Sequence, residues 1–139
     1  MLRLLRSLRH KRPAVRTADE INPHAPASDL VIRLAEAFTS RPGGRYRQDG
    51  DFSGEEFRDA LLIPALQTGK IVYVVLDGAE GYSGAFLEEA FGGLIRAGFS
   101  LSYLRDHFHV ANENPLYTPY KMLADIYIQE AKHEAHQQA

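Results

Sequence analysis

Residues 72–94 read VYVVLDGAEGYSGAFLEEAFGGL, a buried strand, a polar turn and the opening of an amphipathic helix. Ile71 to Leu76 form one continuous β-branched and apolar run, which suits an interior strand covered on both faces. Asp77-Gly78 ends it, and Gly81 and Gly84 keep the turn flexible. Phe86, Leu87, Ala90, Phe91, Leu94 and Ile95 then recur at helical spacing, with Glu88 and Glu89 placed to favour the positive end of the helix dipole. A strand that runs into a helix start leaves backbone N–H groups unpaired at its carboxyl end, where ligands and partners of open α/β sheets meet them.

The chain around this unit has 139 residues, enough for one domain with a hydrophobic core and an N-terminal extension. It contains no cysteine, which excludes disulfides, thiol catalysis and cysteine-ligated zinc or iron–sulfur sites. No stretch approaches the ~18 apolar residues of a membrane helix, and a cytoplasmic location is expected. The net charge of −2 hides an asymmetry, because residues 1–16 carry six basic residues and no acid, leaving −8 on the remainder. An acidic body does not supply the basic face that phosphate neutralisation needs, so nucleic-acid binding through the core is not expected.

Working towards the N-terminus, Leu30, Val31, Ile32 and Leu34 read as a first strand, with Phe38 an apolar anchor after it. Residues 1–28 read as a disordered basic extension and a proline-containing linker, without the apolar core of a secretory signal. Its Leu and Arg pattern also suits a membrane-surface or nucleic-acid arm. Between the two strands, Arg41-Pro42-Gly43-Gly44 and Asp49-Gly50 are turn chemistry. Ser53 and Glu56 have capping-box spacing and predict a helix that buries Phe57, Leu61, Leu62, Ala65 and Leu66 and is kinked or shortened by Pro64.

Towards the C-terminus, Ala97-Gly98 ends the central helix, and Ser100 caps a short helix carrying Leu101, Leu104 and Phe108 inward. A strand is expected near 108–111. Thr118-Pro119 reads as N-cap and first residue of a last helix, whose apolar face is Tyr120, Leu123, Ile126, Tyr127 and Ala131. Residues 133–139 read as a fraying tail. Strands alternating with helices give an α/β fold, a mixed sheet covered by helices over residues 29–132.

Enzyme signatures are weak. His133 and His136 are three apart at the chain end, and His107 and His109 flank Phe108 without an acidic partner at fixed spacing. Gly78, Gly81 and Gly84 form no phosphate loop, and Ser83 is not a hydrolase elbow because Ala85 stands where the second glycine is needed. Asp77, Glu80, Glu88 and Glu89 suit a divalent cation or simple helix-dipole pairing. Arg45, Arg47, Asp49, Glu55 and Arg58 suit an ion-pair network or a surface that contacts a partner or nucleotide. No cofactor is expected.

Two blocks, GGRYRQDGDFSGEEFR (43–58) and GAFLEEAFGGLIR (84–96), resemble the bacterial STAS-like domain of unknown function. The first pattern is met at Gly44, Arg45, Tyr46, Asp49, Gly50, Ser53, Gly54, Glu55, Phe57 and Arg58, and the second at Phe86, Glu89, Phe91 and Gly92. In the STAS regulators similar to this fold, a serine at the start of the equivalent helix is phosphorylated by a histidine-kinase-like ATPase. The pattern has serine directly before Phe86, where this chain has Ala85, so Ser83 is the hydroxyl left to take that role. The resemblance implies a non-catalytic regulatory module in signal transduction that binds a protein through Asp77, Tyr82, Ser83, Phe86 and Glu89, supported by Arg45 and Arg58. The alternative is a nucleotide- or small-anion-binding domain, with or without enzymatic activity, using the helix N-terminus with the same two arginines. An exposed apolar patch at Tyr82 and Phe86 favours the first, and two arginines converging on that N-terminus favour the second.

Overall fold

The computed structural model describes residues 15–17 and 29–138, with side chains from 29 to 132. Four strands form one sheet in the order β1-β2-β3-β4: β1 Val15–Thr17, β2 Leu30–Arg33, β3 Val72–Val75 and β4 Phe108–Ala111. The last three are parallel, with Leu30 beside Val72 and Val72 beside Phe108, and β1 runs antiparallel to β2. The reading of 1–28 as a disordered extension did not include β1; the rest of that stretch lies outside the described residues.

Five helices accompany these strands among the described residues. They are α1 (Leu34–Ala37), α2 (54–66), α3 (84–96), α4 (Leu101–His107) and α5 (Thr118–Gln138). None is long and apolar enough to cross a membrane. Strands β2, β3 and β4 lie side by side in chain order, so same-handed crossovers deliver their helices to one face. Buried residues of all five helices accordingly join Ile32, Val72, Val74, Phe108 and Val110 in one core. The other face has only a small cluster of Val31 and Val75 with Tyr73 and Ala111. This corrects the expectation that β3 is covered by helices on both faces. Sequential order also means that strand order never reverses, so the sheet lacks the switch-point crevice in which doubly wound folds hold ligands.

Local signals placed most boundaries. Ser53, Ser83 and Ser100 each accept a hydrogen bond from the backbone N–H three residues on and so cap α2, α3 and α4. Gly78 (φ +98°) and Gly98 (φ +114°) take the left-handed conformation that ends β3 and α3. Leu34 begins α1 rather than extending β2. Thr118 is already helical, and the N-cap lies earlier, at Asn114, whose Oδ1 accepts from Leu116 N (3.0 Å) ahead of Pro115.

Both long central helices contain a π turn, Arg58–Leu62 in α2 and Glu88–Gly92 in α3. Pro64 follows the first and α2 still runs on to Leu66, so the proline does not end the helix. The same turn occurs in α3, which has no proline, so proline is not its general cause.

α3 is the centre of the core, with Phe86, Leu87, Ala90, Phe91 and Leu94 wholly buried. Two glycines allow its neighbours to approach. A Cβ on Gly54 of α2 would lie 2.5 Å from Phe86 O and 3.1 Å from Ala90 N, and one on Gly92 would lie 3.1 Å from Tyr127 O of α5. That close approach decides which face of α5 turns inward. Ala124, Ile128 and Ala131 are buried, whereas Leu123 and Ile126, expected inside, are 36% and 46% exposed. Alanine fits where the helices nearly touch, and larger side chains do not. The helix backbone continues to Gln138, through the stretch read as a fraying tail.

Gly54→Ala should cost about 1–3 kcal/mol of stability through overpacking. Urea unfolding tests this, and an unchanged midpoint would show that α2 and α3 have room between them.

Candidate functional site

The turn between β3 and α3 lies at the carboxyl end of the sheet, and its own side chains hold it in place. Both oxygens of Asp77 accept backbone N–H groups, from Glu113 (2.8 Å) and Asn114 (2.7 Å), which ties this turn to the one following β4. Tyr82 donates to Leu76 O (2.6 Å), and Tyr117 donates to Ala79 O (2.6 Å). Burial is the main reason the Tyr82 phenol pKa is pushed up, so it stays a neutral donor at any physiological pH. Gly81 and Gly84 are not in the left-handed region. Space explains them: an added Cβ would sit 3.3 Å from the Tyr120 hydroxyl or 3.2 Å from that of Tyr127.

Ser83 is exposed at the head of α3. Its Oγ accepts from Phe86 N (3.0 Å) and donates to Gly43 O (3.2 Å). Gly43 opens a loop that folds back on itself, with Gly43 N donating to Phe52 O and Gly54 N to Gly44 O, both at 2.9 Å. Phe52 closes the loop at φ +58°, a strained conformation for an aromatic residue, and packs edge-on against Phe38 with ring centroids 5.4 Å apart. Tyr46 stands out from the loop, 42% exposed, with the Arg45 guanidinium 5.9 Å from its ring centre. One serine hydroxyl therefore joins the first turn of α3 to the base of this loop.

Beyond the first turn of α3, three arginines surround two glutamates. Arg45 donates to Glu88, Arg96 donates to the same carboxylate (2.7 Å), and Arg58 donates to the Glu89 carboxylate. Within the π turn, Gly93 N reaches back to Glu88 O, and Arg58 donates to the Glu89 carbonyl at 3.2 Å. Glu89 is 7% exposed, so its charge depends on this pairing. Burial works against the charged form of Glu88, but the hydrogen bonds from Arg96 and Arg45 outweigh it and hold its pKa below the ordinary glutamate value. The Glu88 hydrogen bond is the main reason the Arg45 pKa is raised. Burial opposes the Arg58 charge, and the hydrogen bonds to Asp59 and Glu89 more than restore it.

Of the residues expected to form a partner-binding face, Phe86 is wholly buried, Tyr82 is 8% exposed, and Glu89 is enclosed by arginines. The exposed apolar patch at Tyr82 and Phe86 that would favour protein docking is absent, because both rings pack inward, 5.8 Å apart. Asp77 is half-buried and engaged by backbone, and Ser83 alone of the group is exposed on α3. Arg45 and Arg58 converge on Glu88 and Glu89 rather than on the helix N-terminus. Arg96 was missed, and for a physical reason. Residues eight apart on a regular α-helix are about 80° out of phase, but the extra residue of a π turn brings Glu88 and Arg96 onto one face. Tyr117 and Tyr120 were missed as well, because only tertiary packing carries them to the β3–α3 turn.

The histidine readings do not form a site. His107 stacks on Tyr103 with ring centres 4.0 Å apart, and His109 stacks on Tyr73 on the opposite sheet face. The side chains of His133 and His136 lie outside the described residues. Among the described residues no group of three or more His, Cys, Asp or Glu is placed to hold a metal ion.

Residues 53–118 match the family described as a STAS-like domain of unknown function (DUF4325). The match opens on the Ser53 cap of α2 and runs through β3, α3, α4 and β4 to the first residue of α5. No curated protein and no solved structure matches the chain.

Glu89→Ala should cost about 3 kcal/mol by leaving the buried Arg58 with Asp59 as its one remaining carboxylate, whereas Glu88→Ala, at a more open position, should cost under about 1 kcal/mol. Equal losses in chemical denaturation would show that burial does not separate the two. The lowered Glu88 pKa also has a pH signature. Its contribution is complete above the unfolded glutamate value, about 4.3, and is lost as pH falls through the lower folded value. Glu88→Gln should therefore make stability fall less steeply on acidification, and an unchanged slope would remove Glu88 from the acid response.

Proposed function

We propose that this STAS-like domain is a non-catalytic regulatory module that docks onto a protein partner through the exposed head of α3, and that phosphate on Ser83 switches the docking off. The observation that carries the reading is the double engagement of one exposed hydroxyl, which caps α3 and donates to Gly43 O. A phosphate ester oxygen has no proton, so it cannot make the Gly43 bond. Phosphate also adds about −1.5 to −2 charge close to Glu80, whose backbone N–H is tied to Ser40 O (2.8 Å) and whose carboxylate is tied to Arg41 (2.9 Å). Modification at Ser83 thus changes both the charge at the helix head and the seating of the 43–54 loop, including exposed Tyr46.

A cytoplasmic histidine-kinase-like ATPase is the partner class, taken from the resemblance to STAS regulators. The docking face is Ser83 with the 43–54 loop; Tyr82, Phe86 and Glu89 support it from inside. The anion-binding alternative requires cationic Arg45 and Arg58 at the helix N-terminus, and both are occupied by carboxylates farther along α3.

Wild-type chain used as bait in native lysate should capture an ATPase of this class, Ser83→Ala, which lacks both hydrogen bonds of the hydroxyl but adds no charge, should capture it more weakly, and Ser83→Asp should lose it. With ATP present, phosphate should appear on wild type and not on Ser83→Ala. Capture by Ser83→Asp as strong as wild type would remove the switch, and baits that bind nucleotide but no ATPase would replace this reading with the alternative.

A further inference from the structure

Most of the large apolar residues exposed among the described ones, Leu116, Met122, Leu123 and Ile126, lie on α5 or just before it. On α5 the exposed residues Pro119, Met122, Leu123 and Ile126 recur at helical spacing and share one face. That face is opposite to Ala124, Ile128 and Ala131, which the core buries. A helix that lies on a domain surface needs one apolar side, and α5 has two. Lys121 and Asp125 stand beside the outer stripe and pair with each other at 2.6 Å, so they leave no charge for a partner to answer.

One side of the stripe falls into an open groove of about 360 Å3 between α4, β4 and α5, to which Ile126 also belongs. The floor of the groove is apolar, and Arg105, Asp125 and Glu130 lie around it. With Asp125 answered by Lys121, one charge of each sign remains, Arg105 and Glu130. Such a surface selects neither a strongly basic nor a strongly acidic partner.

The same surface turned around does fit. In a two-fold contact each patch meets its own copy, so it must complement itself. Laying α5 antiparallel on a second α5, with the axis beside Ala124, sets Met122 opposite Ile126 of the second copy, and Ile126 opposite its Met122. The same register sets Glu130 opposite Thr118. The first turn of α5 holds no acidic residue, so the positive end of its dipole has no carboxylate of its own. Glu130 is exposed, about 18 Å along the helix from Thr118. Each copy therefore supplies the carboxylate that the start of the other's α5 lacks.

We propose that the chain forms a two-fold homodimer in which the outer faces of α5 pack antiparallel, centred on Met122 and Ile126, with Glu130 of each copy at the start of the other's α5. This face points away from α3, and the contact does not depend on how Ser83 is used.

Sedimentation of the full-length protein over a concentration series should show chains of 15.6 kDa associating into dimers. Ile126→Glu, at an exposed position, should keep its circular dichroism and sediment as a monomer. Glu130→Gln should raise the dissociation constant about 3- to 30-fold, because two dipole contacts are lost per dimer. The chain has no cysteine, so orientation can be read by oxidation. An equal mixture of Met122→Cys and Ile126→Cys chains should give the mixed disulfide above its statistical share. A chain that stays monomeric at every concentration would leave the stripe to another molecule and overturn the proposal. A dimer that Ile126→Glu leaves intact would overturn the α5 contact. Predominance of same-site disulfides, or a dissociation constant unmoved by Glu130→Gln, would overturn the antiparallel arrangement.

Discussion

The structure depends on how closely α2 and α5 approach α3. At Gly54 the backbone of α2 lies against Phe86 O and Ala90 N, and at Gly92 the backbone of α3 lies against Tyr127 O. With no Cβ at either crossing, the helices come near enough for Phe57, Phe86 and Phe91 to share one aromatic cluster, with ring centres 6.1 to 6.4 Å apart. Such interiors tolerate little added volume. The close crossings also determine which residues reach the surface, because α5 must turn Ala124 and Ala131 inward and leave Leu123 and Ile126 outside.

The π turns act on a second level. Each adds a residue to its helix and shifts the phase of everything that follows. In α3 the shift brings Arg96 under Glu88 and places the Glu89 carbonyl where Arg58 reaches it. A Cβ on Gly93 would overlap the Arg58 guanidinium, so a third glycine makes room for that arginine. The paired charges join the 43–54 loop, α2 and α3 on the flank of the helix. Specificity of arrangement is a more secure role for them than net stability, since burying the ions costs free energy that pairing only offsets.

The proposed docking face lies where these constraints relax. The head of α3 is exposed at Ser83, although everything behind it is packed or hydrogen-bonded. That hydroxyl is joined to the base of the 43–54 loop through Gly43 O. The α4–β4–α5 groove is a different surface, with an apolar floor and charges of both signs from Arg105, Asp125 and Glu130.

Much of the fold was legible in the sequence because the signals are local. The run 71–76, the serines at 53, 83 and 100, and Gly98 each act through residues within about one helical turn, and each lies at the element boundary it marks. The family resemblance was legible for the same reason, in two short blocks, one containing the Ser53 cap and one following the Ser83 cap. The buried face of α5 was not, because 120–131 carries apolar residues all round, and hydrophobicity alone favours Leu123 and Ile126 over Ala124. Contact with Gly92 reverses that preference. The inward direction of Tyr82 and Phe86, the partners of Arg45 and Arg58, and the phase of Arg96 were likewise decided only in the tertiary structure. Each depends on a distance between segments far apart in the chain, and residue periodicity carries no record of that distance.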